Sequence, residues 1–243
     1  MRRFGLIGFP LSHSFSKKFF SEKFEKENKL DCVYENFPIS AINQFPELLQ
    51  QYPDLQGINV TIPYKKAIIP YLTSISQVVE AIGACNCIQI REGALIGHNT
   101  DVVGFRQSLL PFLQPHHQQA LVLGTGGASA AVVYVLKQLN ISYLLVSRST
   151  EQHTIAYQDL TQSILATHTL IINTTPLGTF PQVDDCPPIP YDLLTPLHHL
   201  YDLVYNPAET RFIKMGKEKG ASFQNGWEML IEQANESWRI WNS

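Results

Sequence analysis

The stretch ALVLGTGGASAAVVYVL, Ala120 to Leu136, limits the choice of fold more than any other part of the chain. Its first residues are a β-branched and leucine run that reads as a buried strand. The strand enters Gly124-Thr125-Gly126-Gly127 and Ala128, and a helix of small residues starts at once. Glycine permits the tight turn and lets backbone N–H groups approach a pyrophosphate at the helix N-terminus. The third glycine of the usual fingerprint is replaced by Ser129, so the pattern is GxGGAS. Strand, glycine turn and helix in this order point to a dinucleotide site, with a plain βα turn as the alternative.

The next strand refines the cofactor. An NAD site places an acidic residue at this tip to hold the ribose hydroxyls. Here LLVSRST offers Ser147, Arg148 and Ser149, with no carboxylate before Glu151. A guanidinium suits a 2′-phosphate, because it can bind phosphate oxygens in a bidentate fashion. NADP is therefore expected over NAD.

Strand and helix signals alternate along the rest of the chain, which implies βαβ units and a largely parallel sheet. In the first hundred residues, RRFGLIGF, DCVYENFPI and LQGINVTI read as strands. Helices are expected from about Lys17 to Asn28, over AINQFPELLQQY with an interruption at Pro46, and from about Lys66 to Leu72. GACNCIQIREGALIGHN reads as a hairpin turning at Arg91-Glu92-Gly93. After the polar break LQPHHQQ, a second series carries the glycine turn, the strands SYLLVSRS, HTLIINTTPLG and HHLYDLVYNP, and a helix closed by Gly220. The last segment, WEMLIEQANESWRIWNS, forms an amphipathic helix expected to pack back on the first lobe. The fold class is α/β with two lobes and a cleft between them: a mostly parallel substrate-binding domain, 1–101 plus 225–243, and a Rossmann-type domain, 102–224.

Composition excludes several classes. A net charge of −3 gives no basic field for nucleic acid. No apolar run approaches the ~18 residues of a membrane-spanning helix, and MRRFGLIGFP is too short to be a signal peptide and lacks its cleavage site. Cys32, Cys85, Cys87 and Cys186 show neither zinc spacing nor a dense disulfide pattern, and the histidines form no ligand cluster. No metal is indicated, the thiols of the CNC pair, Cys85 and Cys87, are expected to be buried and inert, and a cytoplasmic location follows.

Four polar clusters look misplaced if packing is the only concern: SHSFS, NVTIPYK, GACN and HNTDVVG. Each lies at or beyond a strand end, where open α/β sheets bind ligands. Singly, Ser14 and Ser16 could cap a helix, Asn86 could satisfy a turn and Asp101 could cap the next helix. In GINVTIPYK, Val60 and Ile62 alternate with Asn59 and Thr61, so the strand is expected to have one apolar and one polar face, with Lys65 just beyond its tip. Together the clusters supply hydroxyls, amides, one ammonium and one carboxylate, which suits a small polyhydroxylated carboxylic acid.

In order and spacing, PLSHSFS, NVTIPYK, GACN, NTDVVGF, GTGGAS, SRS, NTTPLG, YDLVYNP and a glutamine in the final helix resemble the shikimate dehydrogenase family, over nearly the whole chain. The resemblance implies reversible, NADPH-dependent reduction of 3-dehydroshikimate to shikimate, on the route to chorismate and aromatic amino acids. It implies that Ser14 and Ser16 hold the substrate carboxylate, that Thr61, Asn86 and Gln233 bind ring hydroxyls with Asn59 nearby, and that Lys65 and Asp101 are the catalytic pair. Gly124 to Ala128 would wrap the pyrophosphate and Arg148 would take the 2′-phosphate between Ser147 and Ser149. Asn173, Thr174, Thr175, Pro176, Leu203 and Gly226 would line the nicotinamide side, with Tyr205 between nicotinamide and substrate. The family's NRT reads SRS here, and STEQ follows without the second basic residue often found there, which predicts a weaker NADP preference. The alternatives are a quinate or dual quinate/shikimate dehydrogenase and a non-catalytic dinucleotide-binding module. The partner is a small molecule, and the assembly a monomer or homodimer.

Overall fold

The structure, a computed structural model, describes residues 1–11, 15–150 and 153–243. The chain divides into two compact units, Met1–Thr100 with Ala234–Ser243, and Asp101–Gln233.

The first unit runs β1 (Arg2–Gly8), α1 (Phe15–Lys26), β2 (Cys32–Pro38), α2 (Phe45–Gln51), β3 (Leu55–Val60), β4 (Ser74–Ile75), α3 (Gln77–Ile82), β5 (Cys87–Arg91) and β6 (Ala94–His98). Its sheet has the order β2-β1-β3-β5-β6-β4. The β2-β1-β3 half is parallel, as expected from its helical connections. The hairpin β5–β6 adds antiparallel ladders on β3 and within itself. Its turn is Glu92-Gly93, both at positive φ (51° and 81°), the backbone that a tight two-residue hairpin turn requires.

Two expected helices are shorter than their sequence pattern. Pro70, which has no N–H to donate, leaves a single 3-10 turn, Ile69–Tyr71, in place of a helix over 66–72. The segment before α2 forms a 3-10 turn, Ile42–Gln44, and Pro46 sits in the first turn of α2, where its missing N–H is no loss.

The second unit runs α4 (Asp101–Leu109), β7 (Gln119–Leu123), α5 (Gly127–Gln138), β8 (Ser142–Ser147), β9 (Thr154–Ala156), α6 (Gln162–Thr167), β10 (Leu170–Asn173), β11 (His199–Asp202), α7 (Arg211–Glu218) and β12 (Ser222–Gln224). The final helix α8 (Trp227–Trp241) begins in this unit and ends in the first. The sequence reading put the boundary ahead of α8; the structure places it inside the helix. All ladders of the second sheet are parallel, in the order β12-β11-β10-β7-β8-β9. Renumbered from β7, this is the order 3-2-1-4-5-6 read from the β9 edge, the doubly wound arrangement whose switch point lies between the first and fourth strands. Here those strands are β7 and β10. Fully buried Leu121, Leu123, Ile171, Leu200 and Phe212 pack one side of this sheet.

The expectation of a polar, ligand-facing side on β3 is corrected. Gly57 through Val60 are all buried. Ile58 and Val60 join the core with Phe45 and Ile68, and the other face is covered by the end of α8. A Cβ on Gly57 would lie 2.3 Å from the Trp241 ring. That indole stacks on Phe4 at 5.0 Å and donates to the Ile88 carbonyl at 3.0 Å. The terminal helix thus hides what an isolated strand would have presented to solvent.

Candidate active site

In the first unit, a run of buried hydrogen bonds joins four of its elements. The Ser16 hydroxyl, in the first turn of α1, bonds the Tyr34 phenol, which burial otherwise pushes far above its usual pKa. Tyr34 donates to Asn59 Oδ1 at 2.9 Å. Asn59 Nδ2 donates to Ser237 Oγ at 2.9 Å and to the Asn86 carbonyl at 3.3 Å. Asn86 Oδ1 accepts the backbone N–H of Thr100 at 2.6 Å, and its Nδ2 donates to Thr100 Oγ1 at 3.0 Å. The Thr100 and Ser237 hydroxyls lie 3.3 Å apart. Asn59 is thus committed to this network rather than offering a free amide.

The GACN turn anchors two other segments. The Cys85 N–H donates to the Lys65 carbonyl at 2.7 Å, and Asn99 Nδ2 donates to the Ala84 carbonyl at 2.9 Å. The backbone of Lys65 and the residues just ahead of Asp101 are therefore pinned to one four-residue turn. Lys65 is half-buried, one residue after buried Tyr64, whose hydroxyl donates to the Ile39 carbonyl at 2.7 Å. Half-buried Thr61 leaves β3 by donating its N–H to Ile7 at 2.9 Å. Cys85 and Cys87 are fully buried free thiols, and burial pushes the Cys87 thiol up. Ser14 lies outside the described residues.

In the second unit, Asp101 is the first residue of α4. Gly104, one turn on, has no room for a side chain: a Cβ there would lie 2.6 Å from the Met229 carbonyl and 3.0 Å from Gln233 Cβ. This close helix crossing sets Gln233 against the first turns of α4. Gln233 Nε2 donates to the Leu230 carbonyl at 2.8 Å.

The switch point between β7 and β10 holds a cavity of about 510 Å³, lined by Gly124, Gly126, Arg148, Tyr157, Thr174 and Pro176 among others. Gly124 has φ +104°, and a Cβ on it would meet the Thr175 methyl at 2.9 Å, so glycine is required twice over. A Cβ on Gly126 or Gly127 would meet nothing within 4 Å. Gly126 is the N-cap of α5 and gives it no side-chain cap, so the helix start faces open space with uncapped amides, which fits a phosphate. Ser129, in place of the third glycine, is buried and folds its hydroxyl onto the Gly126 carbonyl at 2.6 Å. Exposed Arg148 follows the tip of β8. Ser147 and Ser149 bond each other there, the Ser147 hydroxyl donating to the Ser149 carbonyl, and so shape the loop that carries Arg148.

Behind the cavity, Asn173 is fully buried and holds the NTTPLG turn. Its Oδ1 accepts from the Thr175 hydroxyl at 2.6 Å, and its Nδ2 donates to Asp202 Oδ1 at 2.9 Å. Thr174 Oγ1 donates to the Leu123 carbonyl at 2.7 Å, tying β10 to β7. Asp202, fully buried, also accepts from Thr210 Oγ1 at 2.6 Å and from the Val204 N–H at 3.1 Å. Burial dominates and pushes its carboxyl up to about 6. Leu203 donates its N–H to the Asn173 carbonyl at 3.0 Å, and a Cβ on Gly226 would lie 2.1 Å from the Leu203 carbonyl. Tyr205 is 37% exposed, its ring 6.4 Å from Trp227. The sequence reading did not single out Asp202, Tyr34, Thr100 or Ser237. Thr100 and Asp202 lie inside the stretches HNTDVVG and YDLVYNP, and the signal of Tyr34 and Ser237 was a polar group at an otherwise apolar position of a strand or helix.

A family model described as "Shikimate dehydrogenase substrate binding domain" matches residues 6–88. The chain is 37% identical to an NADP(+) shikimate dehydrogenase of Clostridium beijerinckii, covering 99% of this chain and 92% of that protein. It is 33% identical to one of Methanosphaera stadtmanae, covering 97% and 89%. Its structure is similar, at a TM-score of 0.87 and 30% identity over 99% of this chain and 93% of the other, to a shikimate 5-dehydrogenase of Thermus thermophilus in complex with NADP(H) and shikimate.

Proposed function

The chain belongs to the NADP-dependent shikimate dehydrogenase family, and from that premise we propose how its own residues reduce 3-dehydroshikimate to shikimate, reversibly, on the route to chorismate. Full-length likeness to these relatives carries the activity. The uncapped glycine turn at the sheet's switch point, with Arg148 at the next strand tip, supports the cofactor.

NADPH, when bound, supplies the hydride. Gly124 to Ala128 hold its pyrophosphate and Arg148 its 2′-phosphate. Pro176, Leu203 and Tyr205 line the nicotinamide side, their backbone fixed by Asn173, Asp202 and the Leu203–Gly226 contact. Ser14 and Ser16 hold the substrate carboxylate, and Thr61, Asn86 and Gln233 take ring hydroxyls. Reduction of the ketone leaves an oxygen that must gain a proton, and oxidation requires the hydroxyl to lose one. Lys65 carries that proton and stabilises charge growing on the oxygen. Asp101 is the second member of the catalytic pair that the family resemblance implies. Binding of the substrate falls to residues 1–101 with 225–243, and of the cofactor to residues 102–224. The reaction runs in the cytoplasm, a reducing compartment in which free cysteines are ordinary.

The test is NADP reduction followed by absorbance, with shikimate and quinate side by side and with NAD in place of NADP. Shikimate with NADP should give the highest kcat/KM. Faster turnover of quinate would move the chain to the quinate branch of the family, and cofactor binding without turnover of either acid would contradict catalysis.

A further inference from the structure

A second cavity, of about 490 Å³, lies in the second unit, where the end of α4 meets β12 and the first turns of α8. Its size is that of a small-molecule site. Pro111, Phe112 and Trp227 line it, and both rings are well exposed, Phe112 at 40% and Trp227 at 47%. Glu228 and Glu232 also line it, four residues apart and so on one face of α8. Neither carboxylate has a hydrogen-bond or ion-pair partner among the described residues, although Glu232 is half-buried. The remaining polar wall includes Gln224, only 8% exposed, whose Oε1 is buried without a partner.

The charge of this wall is one-sided. Its charged residues are two carboxylates; Gln107, Ser108 and Asn225 complete its polar lining, and no lysine, arginine or histidine lines the cavity. Aromatic faces beside them attract cations through their ring quadrupoles. A half-buried carboxylate without a partner is costly and gains most from an incoming positive donor. The cavity is separate from the glycine turn and shares no lining residue with it. We propose that this cavity is a binding site for a small organic cation, a primary ammonium on an apolar or aryl stem. The ammonium sits between Glu228 and Glu232 and the stem lies against Trp227 and Phe112.

Calorimetric titration of the full chain with phenethylamine at neutral pH tests the site. The expected result is one saturable site that is weakened about tenfold or more by Glu232→Gln. Trp227→Leu should weaken it as well, and 2-phenylethanol, the neutral isostere, should not saturate. Unchanged thermal midpoints in the variants show that the loss is local. Saturable binding that survives Glu232→Gln, equal binding of 2-phenylethanol, displacement of the amine by shikimate or NADP, or no saturable binding at all would each overturn the proposal.

Discussion

The side-chain oxygen of Asn86 accepts the backbone N–H of Thr100 at 2.6 Å, one residue ahead of Asp101. Nothing local in sequence joins these residues, yet this bond fixes where the chain leaves the first unit. Asn86→Ala would remove from a buried setting the acceptor of that N–H and the amide that donates to the Thr100 hydroxyl. The expected cost is about 1–3 kcal/mol in urea unfolding, with kcat/KM for shikimate falling as well. A variant of unchanged stability would show that Thr100 is held by other means.

Around Arg148 no carboxylate lies between Ser147 and Thr150, and no second basic residue follows in STEQ. Removing the guanidinium in Arg148→Ala should raise KM for NADP by roughly 10- to 100-fold, the value of one or two charge-assisted hydrogen bonds. KM for NAD, which lacks the 2′-phosphate, should hardly move. Parallel changes for both cofactors would assign Arg148 to the loop's shape rather than to phosphate binding.

Asp202 makes stability depend on pH with a defined sign. Its folded-state carboxyl is pushed up to about 6 from an ordinary 3.8, burial outweighing three hydrogen bonds. A raised carboxyl favours folding most below the ordinary value, and that contribution is lost as pH rises through about 6. The stability of the native chain minus that of Asp202→Asn should therefore fall by up to about 3 kcal/mol between pH 4 and pH 7. Taking the difference cancels titration of the buried histidines, which is common to both proteins. A flat difference would place the Asp202 carboxyl in the ordinary range.

Gly226 is a packing requirement. A methyl there would sit 2.1 Å from the Leu203 carbonyl, and the obstacle is backbone rather than a side chain that can swing away. Gly226→Ala should destabilise by about 1–3 kcal/mol and lower the midpoint by roughly 2–4 °C per kcal/mol in a chain of this size. A wild-type midpoint would mean that the turn after β12 relaxes freely.

Much of this was legible in the sequence because the signals were local. A glycine turn between a strand and a helix declares itself in a dozen residues, and it lies where expected, with Gly124 at positive φ. The hairpin at Glu92-Gly93 and the stop at Gly220 belong to the same class. The reading went wrong where distant parts of the chain decide the outcome. Asn59 looked like half of an exposed polar face until Trp241 and Ser237, some 180 residues on, covered it. Short pieces such as β9, α6 and β12 have too few residues to carry a period. The hydrogen-bond run from Ser16 to Thr100 could not be read at all, since each of its members has an ordinary explanation alone.

The central claim is that Lys65 moves the proton while the residues around it bind. Steady-state kinetics of Lys65→Ala with shikimate and NADP test it most directly, alongside circular dichroism to show that the variant is folded. The account predicts a fall in kcat of roughly 10²–10⁴, with a much smaller change in KM. A KM raised as steeply with kcat intact would make Lys65 a binding residue and contradict the mechanism.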